Sequence, residues 1–525
     1  MAALGDGNGS GEPADEQGSL SRGRLRDATL TGVRWVTIAK LAADVVTFGS
    51  AIMLAHLISP SEFGRAAVAM VLFLFSTVFT GYSFGTPLVQ RKQIDHEYVQ
   101  ASWLLSVVAG LALTALTLAL APVVAAPLFG ADVGDLMQVL APLFAISGLG
   151  VVPHALLQRE LAFKRISMME LASIVAGAAT SVALAIAGLQ AEAIVLGAVA
   201  KSLVFTTLLC VAAPKALPRW HGDRIREIFA FGFPTALQGF VSNANRNVDY
   251  AILGATMSPA QVGFYWRAFQ LGVEYERKIT VITSRLALPV FSRARELADM
   301  RRIRTRMVRA NATVIFPVIG TFVVVAPVFI PWAFGAQWEP AVLPAQILAL
   351  AGMSGAVNAG GPPLVLAAGR PKALLTLSLV FLGGYAIAIL LASGQGLVAV
   401  CVVATVAHLL RGWALHYFLL DRIVGVPIRD LWGDLAPALA GTVALVAAGA
   451  PLAALLSDAG TPAVPFVAAV GTVCVAVYVA VVCSAFPAAR GDIALLAGRI
   501  LPARLIAALS APLRARAAFS ARHGG

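Results

Sequence analysis

Charge is what this chain has least of. Asp, Glu, Lys and Arg together make up 13% of its residues, about half the share of a soluble domain. Hydrophobic residues make up 59%, and the mean hydropathy is +0.82. So little charge cannot cover a water-facing surface, which excludes a soluble protein and leaves an integral membrane protein. Cysteine is scarce as well: Cys210, Cys401, Cys474 and Cys483 stand singly in or near apolar runs with no C-x-x-C spacing. That excludes a disulfide framework and a Cys-based metal site, and leaves four small hydrophobes. Residues 1–20 lack the basic and apolar regions of a signal peptide, and 1–30 read as a disordered cytosolic tail. No metal-ligand cluster, P-loop or nucleophile motif is present, so no cofactor is expected beyond a coupling ion.

What is present is long apolar runs. A spanning helix needs about 20 predominantly apolar residues, and on that measure the chain is an all-α membrane protein with about fourteen spans. These are 33–58, 65–89, 100–127, 136–157, 167–188, 191–213, 228–257, 261–290, 311–333, 340–368, 372–393, 396–420, 432–456 and 463–486. Alternating segments of about ten residues, as a β-barrel requires, are absent. Lys and Arg fall on one side: Arg22 to Arg26, Arg91, Lys92, Arg159 to Arg165, Lys215 to Arg226, Arg293 to Arg309, Arg370, Lys372, Arg422 and Arg429, against Arg65 on the other. The asymmetry predicts that both termini are cytosolic. It also explains the net charge of +12 without a nucleic-acid partner, because the charges are spread over many turns rather than gathered on one patch. Cytosolic arginines such as Arg302 and Arg304 are expected to set topology or face lipid, and to tolerate alanine singly. The tail at 489–525 has five arginines after Arg490 and no acid after Asp492, the pattern of a basic amphipathic helix on anionic lipid.

The chain repeats itself. "LAHLISPSEFG" (Leu54 to Gly64) and "LGATMSPAQVG" (Leu253 to Gly263) share Ser-Pro-x-x-x-Gly at an offset of 199, and Phe-Gly-Ala at Phe129 returns at Phe334, an offset of 205. Agreement in order, spacing and side of the membrane points to duplication of a six-helix unit. An even number of spans separates the copies, so a pseudo-twofold axis along the membrane normal is expected. "SPSEFG", "NVDYAILGATMSPAQVGFYWRAFQL", "LPVFSRARE" at Leu288, "FGAQWEPA" at Phe334 and "LAAGRPKA" at Leu366 resemble the polysaccharide transporter (Wzx-type) flippases of the multidrug/oligosaccharidyl-lipid/polysaccharide exporter superfamily. The resemblance implies two six-helix lobes, 31–213 and 214–420, around a cavity that opens alternately to each side. Two further helices within 421–488 stand outside the repeat. It further implies a bacterial inner-membrane protein that moves an undecaprenyl-linked oligosaccharide from cytosol to periplasm, alongside membrane lipid and with polysaccharide polymerase and chain-length proteins as partners.

Ionisable groups within spans cost about 2.5–3.5 kcal/mol each and usually face a cavity or a partner. In the seventh span Gln238, Ser242, Asn245 and Asp249 recur at steps of four, three and four, with Arg246 beside them. That spacing is one helical face and reads as cavity lining; the plainer alternative is an Arg246–Asp249 pair at i,i+3. The first span carries Thr37, Lys40, Asp44 and Thr47 on one stripe, and the eighth carries Arg267, Gln270, Glu274, Lys278 and Arg285. Lys201 in the sixth span and His408 with Arg411 in the twelfth add further candidates. Cations suit a lipid-linked pyrophosphate, and amides suit sugars. Asp44, Asp249 and Glu274 can neutralise those cations or bind a coupling proton or Na+. A drug or cation antiporter of the same superfamily is the main alternative, and would favour an acidic, aromatic cavity. A glycosyl polymerase or ligase would need a sizeable outside loop, and every expected outside loop is short.

Overall fold

The computed structural model describes residues 14–81, 84–91, 93–213, 218–273, 287, 291, 296–422, 425 and 427–486, and all regular secondary structure among them is helical. Eleven of these helical segments are long and apolar enough to cross a membrane. They overlap eleven of the fourteen spans read from hydropathy. The other three, 65–89, 228–257 and 261–290, each include residues or side chains outside the described set.

The chain forms two compact units. One takes the chain up to Leu57 together with Leu72–Phe240; the other takes Ile58–Val71 and everything from Val241. The division falls inside two helices, α2 (Pro60–Gly81) and α10 (Gly222–Thr256). The first unit contains α1 (Ala14–Leu57), α3 (Thr86–Gln90), α4 (His96–Leu120), α5 (Ala126–Phe129), α6 (Ala131–Leu140), α7 (Pro142–Arg159), α8 (Phe163–Ile186) and α9 (Ala191–Ala212). Here α8 packs on α1 and α9, and α4 packs on α7. The start of α10 is tied to the same unit by the ion pairs Arg224–Asp95 and Arg91–Glu227, and by Ile228 among Phe84, Leu88 and Tyr98.

Helix α1 begins at Ala14, inside the segment expected to be a disordered tail.

The second unit contains α11 (Pro259–Gly272), α12 (Leu297–Phe334), α13 (Val342–Gly352), α14 (Ser354–Asn358), α15 (Gly361–Ala367), α16 (Pro371–Ser393), α17 (Leu397–Ala414), α18 (Ile428–Asp458) and α19 (Ala463–Ala485). The two helices beyond the repeat, α18 and α19, pack on each other and along α12. Val324 and Val325 of α12 meet Leu445, Phe466, Val470 and Tyr478 there.

The sequence repeat is also a repeat of conformation. Ser59 Oγ accepts from the Glu62 N–H and Ser258 Oγ from the Gln261 N–H, each at 3.4 Å, so each Ser-Pro turn caps the helix that follows it. Gly130 and Gly335, in the two Phe-Gly-Ala copies, share φ of 100° and 99° with ψ of 152° and 154°, backbone that a side chain disfavours. The two Ser-Pro turns also touch each other within the second unit. A Cβ on Gly64 would collide with the carbonyl oxygen of Pro259, and one on Gly263 with that of Pro60. The contact is reciprocal, backbone against backbone.

The arginines of α12 divide by face. Residues two apart on a helix point about 200° apart, so Arg302 and Arg304 cannot share an environment. Arg302 has its side chain 76% exposed beside Asp299. Arg304 corrects the expectation: it is 1% exposed, and its Nη2 donates to the Val357 carbonyl (3.3 Å) and to His416 Nδ1 (3.0 Å) in the π-helical turn Leu415–Asp421. Arg304→Ala should therefore lower the thermal stability of the detergent-purified protein, by about 1–3 kcal/mol for a lost buried hydrogen-bonded group. Arg302→Ala should leave the melt unchanged, and equal melting of the two variants would show Arg304 to be dispensable to packing.

Candidate functional site

Helix α10 has 35 residues. At about 1.5 Å per residue it outruns a hydrocarbon core of about 30 Å, so a polar segment within it needs specific partners. The structure splits the expected polar face. Ser242 and Arg246 are exposed, whereas Asn245 is 2% and Asp249 1% exposed. Asn243 and Asn247 flank the exposed side, half-buried, with Asn247 Nδ2 donating to Asn243 Oδ1 at 2.9 Å. The side chain of Gln238 lies outside the described residues, as do Glu274, Lys278 and Arg285 of the eighth span and the tail at 489–525.

Asp249 is held by residues far away in sequence. Helix α11 is set by its capping box, Ser258 with Gln261, and by Pro259 in its first turn. Two turns on, Tyr265 Oη donates to Asp249 Oδ2 at 2.7 Å. Tyr385 Oη, from α16, donates to the same oxygen at 3.0 Å, and the Tyr250 N–H donates to Oδ1 at 3.0 Å. The carboxylate thus draws its hydrogen bonds from two phenols and a backbone amide rather than from Arg246. One turn earlier, Asn245 donates to the Val241 carbonyl at 3.0 Å, while its Oδ1 is buried with no hydrogen-bond partner.

Behind Tyr385 stand the two candidates of the twelfth span. His408 lies with its ring centroid 5.6 Å from that of Tyr385, and the Arg411 guanidinium lies over Phe381 at 4.9 Å. Arg411 also lies within electrostatic reach of Arg246. Arg246 lies one turn before Asp249 on α10, and guanidinium groups at such positions suit an oxyanion.

Of the remaining sequence candidates, Lys40, Asp44 and Lys201 belong to the first unit and Arg267 to the second. Lys40 is exposed and Asp44 half-buried on α1, and Lys201 is exposed on α9. Arg267 shares the eighth-span stripe in sequence but is 2% exposed, enclosed by aromatic rings. Sequence reasoning passed over Tyr265 and Tyr385. The available signal was a phenol within an apolar helix, "FLGGYAIAIL" at Phe381, since a buried Tyr hydroxyl usually has a partner.

A family model described as polysaccharide biosynthesis protein matches residues 53–343. The lipopolysaccharide biosynthesis protein WzxC of Escherichia coli is 24% identical over 350 residues, covering 66% of this chain and 71% of its own. An uncharacterised membrane protein of the cps region of Klebsiella pneumoniae is 25% identical over 333 residues, covering 62% and 69%. Among solved structures, the lipid II flippase MurJ in an inward closed conformation superposes with a TM-score of 0.68 at 15% identity, covering 85% of this chain and 97% of MurJ. At that identity the likeness is one of fold.

Proposed function

The chain belongs to the polysaccharide biosynthesis protein family, and from that premise we propose that it is a flippase for lipid-linked oligosaccharide units rather than an enzyme. The observation that carries this reading is the buried Asp249, held by Tyr265, Tyr385 and the Tyr250 amide, one turn from the exposed Arg246 on α10. Arg246 and Arg411 take the pyrophosphate of an undecaprenyl carrier, and Asn243, Asn247 and Ser242 on the exposed side of α10 offer amide and hydroxyl partners to the sugars. Asp249 takes the coupling proton or Na+, so that loading and release of the cation alternate with those of the substrate.

The wider arrangement follows the same reading. Fourteen spans form two six-helix lobes and a C-terminal pair in a bacterial inner membrane, with both termini cytosolic. The lobes open alternately and carry the unit from the cytosolic to the periplasmic leaflet, where a polymerase and chain-length proteins receive it.

The test uses proteoliposomes containing the full chain and a fluorescent polyprenyl-pyrophosphate disaccharide. Transbilayer movement is read as loss of fluorescence to a membrane-impermeant quencher. Protein-dependent movement that a cationic dye does not compete for is the expected result. Dye transport with no movement of the lipid would favour the antiporter instead.

A further inference from the structure

Arg267 of α11 is 2% exposed and has one hydrogen bond, from Nη1 to Gln270 Oε1 at 3.4 Å. Its Nε and Nη2 are buried with no hydrogen-bond partner. Those two nitrogens form the side-on edge of the guanidinium: their N–H bonds point the same way, at the spacing of two oxygens of one carboxylate or phosphate. Arg304 gives the contrast. It too has two unpartnered nitrogens, but they are Nε and Nη1, which flank the Cδ side and make no fork.

The surroundings of Arg267 cannot satisfy that edge. The guanidinium carbon lies 4.6 Å from the ring centroid of Phe334, 4.9 Å from Trp338, 5.0 Å from Phe63 and 5.9 Å from Trp266. Ring faces attract the positive charge but accept no strong hydrogen bond. The cage is a place where a cation is tolerated and its directional donors are held in reserve.

Phe63 immediately precedes Gly64, and Arg267 follows Gly263 by one turn, so each side of the reciprocal glycine contact carries a member of the cage. Parting of the two Ser-Pro turns would carry Phe63 away with its turn. We propose that Arg267 is a second oxyanion-binding residue, closed off in this arrangement by Phe63 and the glycine contact, which takes a phosphate or carboxylate group when the turns part. It does not depend on the role given to Arg246 and Arg411.

Two sources could supply such a group, the pyrophosphate linker of a carrier lipid or an acidic sugar, and the experiment separates them. The full-length protein, with its four native cysteines replaced by alanine and Ala260→Cys added, is placed in lipid nanodiscs and titrated with inorganic pyrophosphate or, separately, glucuronate. With the six other tryptophans replaced by phenylalanine, tryptophan fluorescence reports on Trp266 and Trp338, and the rate of reaction with an impermeant maleimide reports on separation of the turns. A saturable response to pyrophosphate assigns the linker, and one to glucuronate assigns the sugar. In either case R267Q abolishes the response, R267K weakens it about tenfold because a point charge replaces a fork, and R302A leaves it intact. Export lost in R246A while this response persists would separate the two anion sites. The proposal fails if neither anion gives a saturable response, or if R267Q retains it. Should R267Q not reach the membrane, unchanged affinity in R267K overturns it equally.

Discussion

Arg246→Ala is expected to abolish oligosaccharide export while the protein remains at its normal level in the membrane. The two halves of that result have separate causes. Arg246 is exposed, and Asp249 takes its hydrogen bonds from Tyr265, Tyr385 and Tyr250, so removing the guanidinium does not strip the buried carboxylate of those donors. Packing should survive. Substrate recognition should not, because under the proposed function the Arg246 guanidinium is one of the two forks that take the anion. Loss of one partner of a desolvated charged contact costs about 2–5 kcal/mol, so flux should fall on the order of a hundredfold or more. Arg246→Lys should recover part of it, and Arg411→Ala added to Arg246→Ala should cost little more, since the pair acts as a unit. Membrane abundance by immunoblot and lipid flux in proteoliposomes are the two measurements. A fall in abundance that tracks the fall in flux would make Arg246 a packing residue.

Asp249 should behave in the opposite way for its two simplest substitutions. Asp249→Asn keeps a carbonyl oxygen for the phenols but cannot change charge. It should fold, reach the membrane, and transport at a rate that no longer responds to an imposed proton or sodium gradient. Asp249→Ala leaves the hydroxyls of Tyr265 and Tyr385 without their acceptor in a buried site, at about 1–3 kcal/mol each, and should reduce abundance as well as flux. Flux measured with and without a gradient separates the cases. If Asp249→Asn responded to the gradient as the unmodified protein does, Asp249 would not be the coupling group.

Local physical chemistry made much of the fold legible. Apolar length marks the spans, and the two Ser-Pro and Phe-Gly-Ala segments mark matching caps and positive-φ glycines, because each depends on residues within one turn of one another. The polar stripe of α10 was legible for the same reason. Which of its members are buried was not: Asp249 is bonded by Tyr385, which lies 136 positions away in sequence. The same limit applies to Arg304, whose partner His416 lies 112 positions away, and to Arg267, whose cage draws Phe63 and Trp338 from segments far apart in the chain. Periodicity tells which residues share a face, and distant chain tells what that face meets.

The mutual contact of Gly64 with Pro259 and of Gly263 with Pro60 has the form of an isologous interface, in which residue i of one partner meets j of the other and the reverse holds as well. A side chain added to either glycine would meet the backbone of the opposite turn, so the two turns constrain each other and a change in one calls for an answering change in the other.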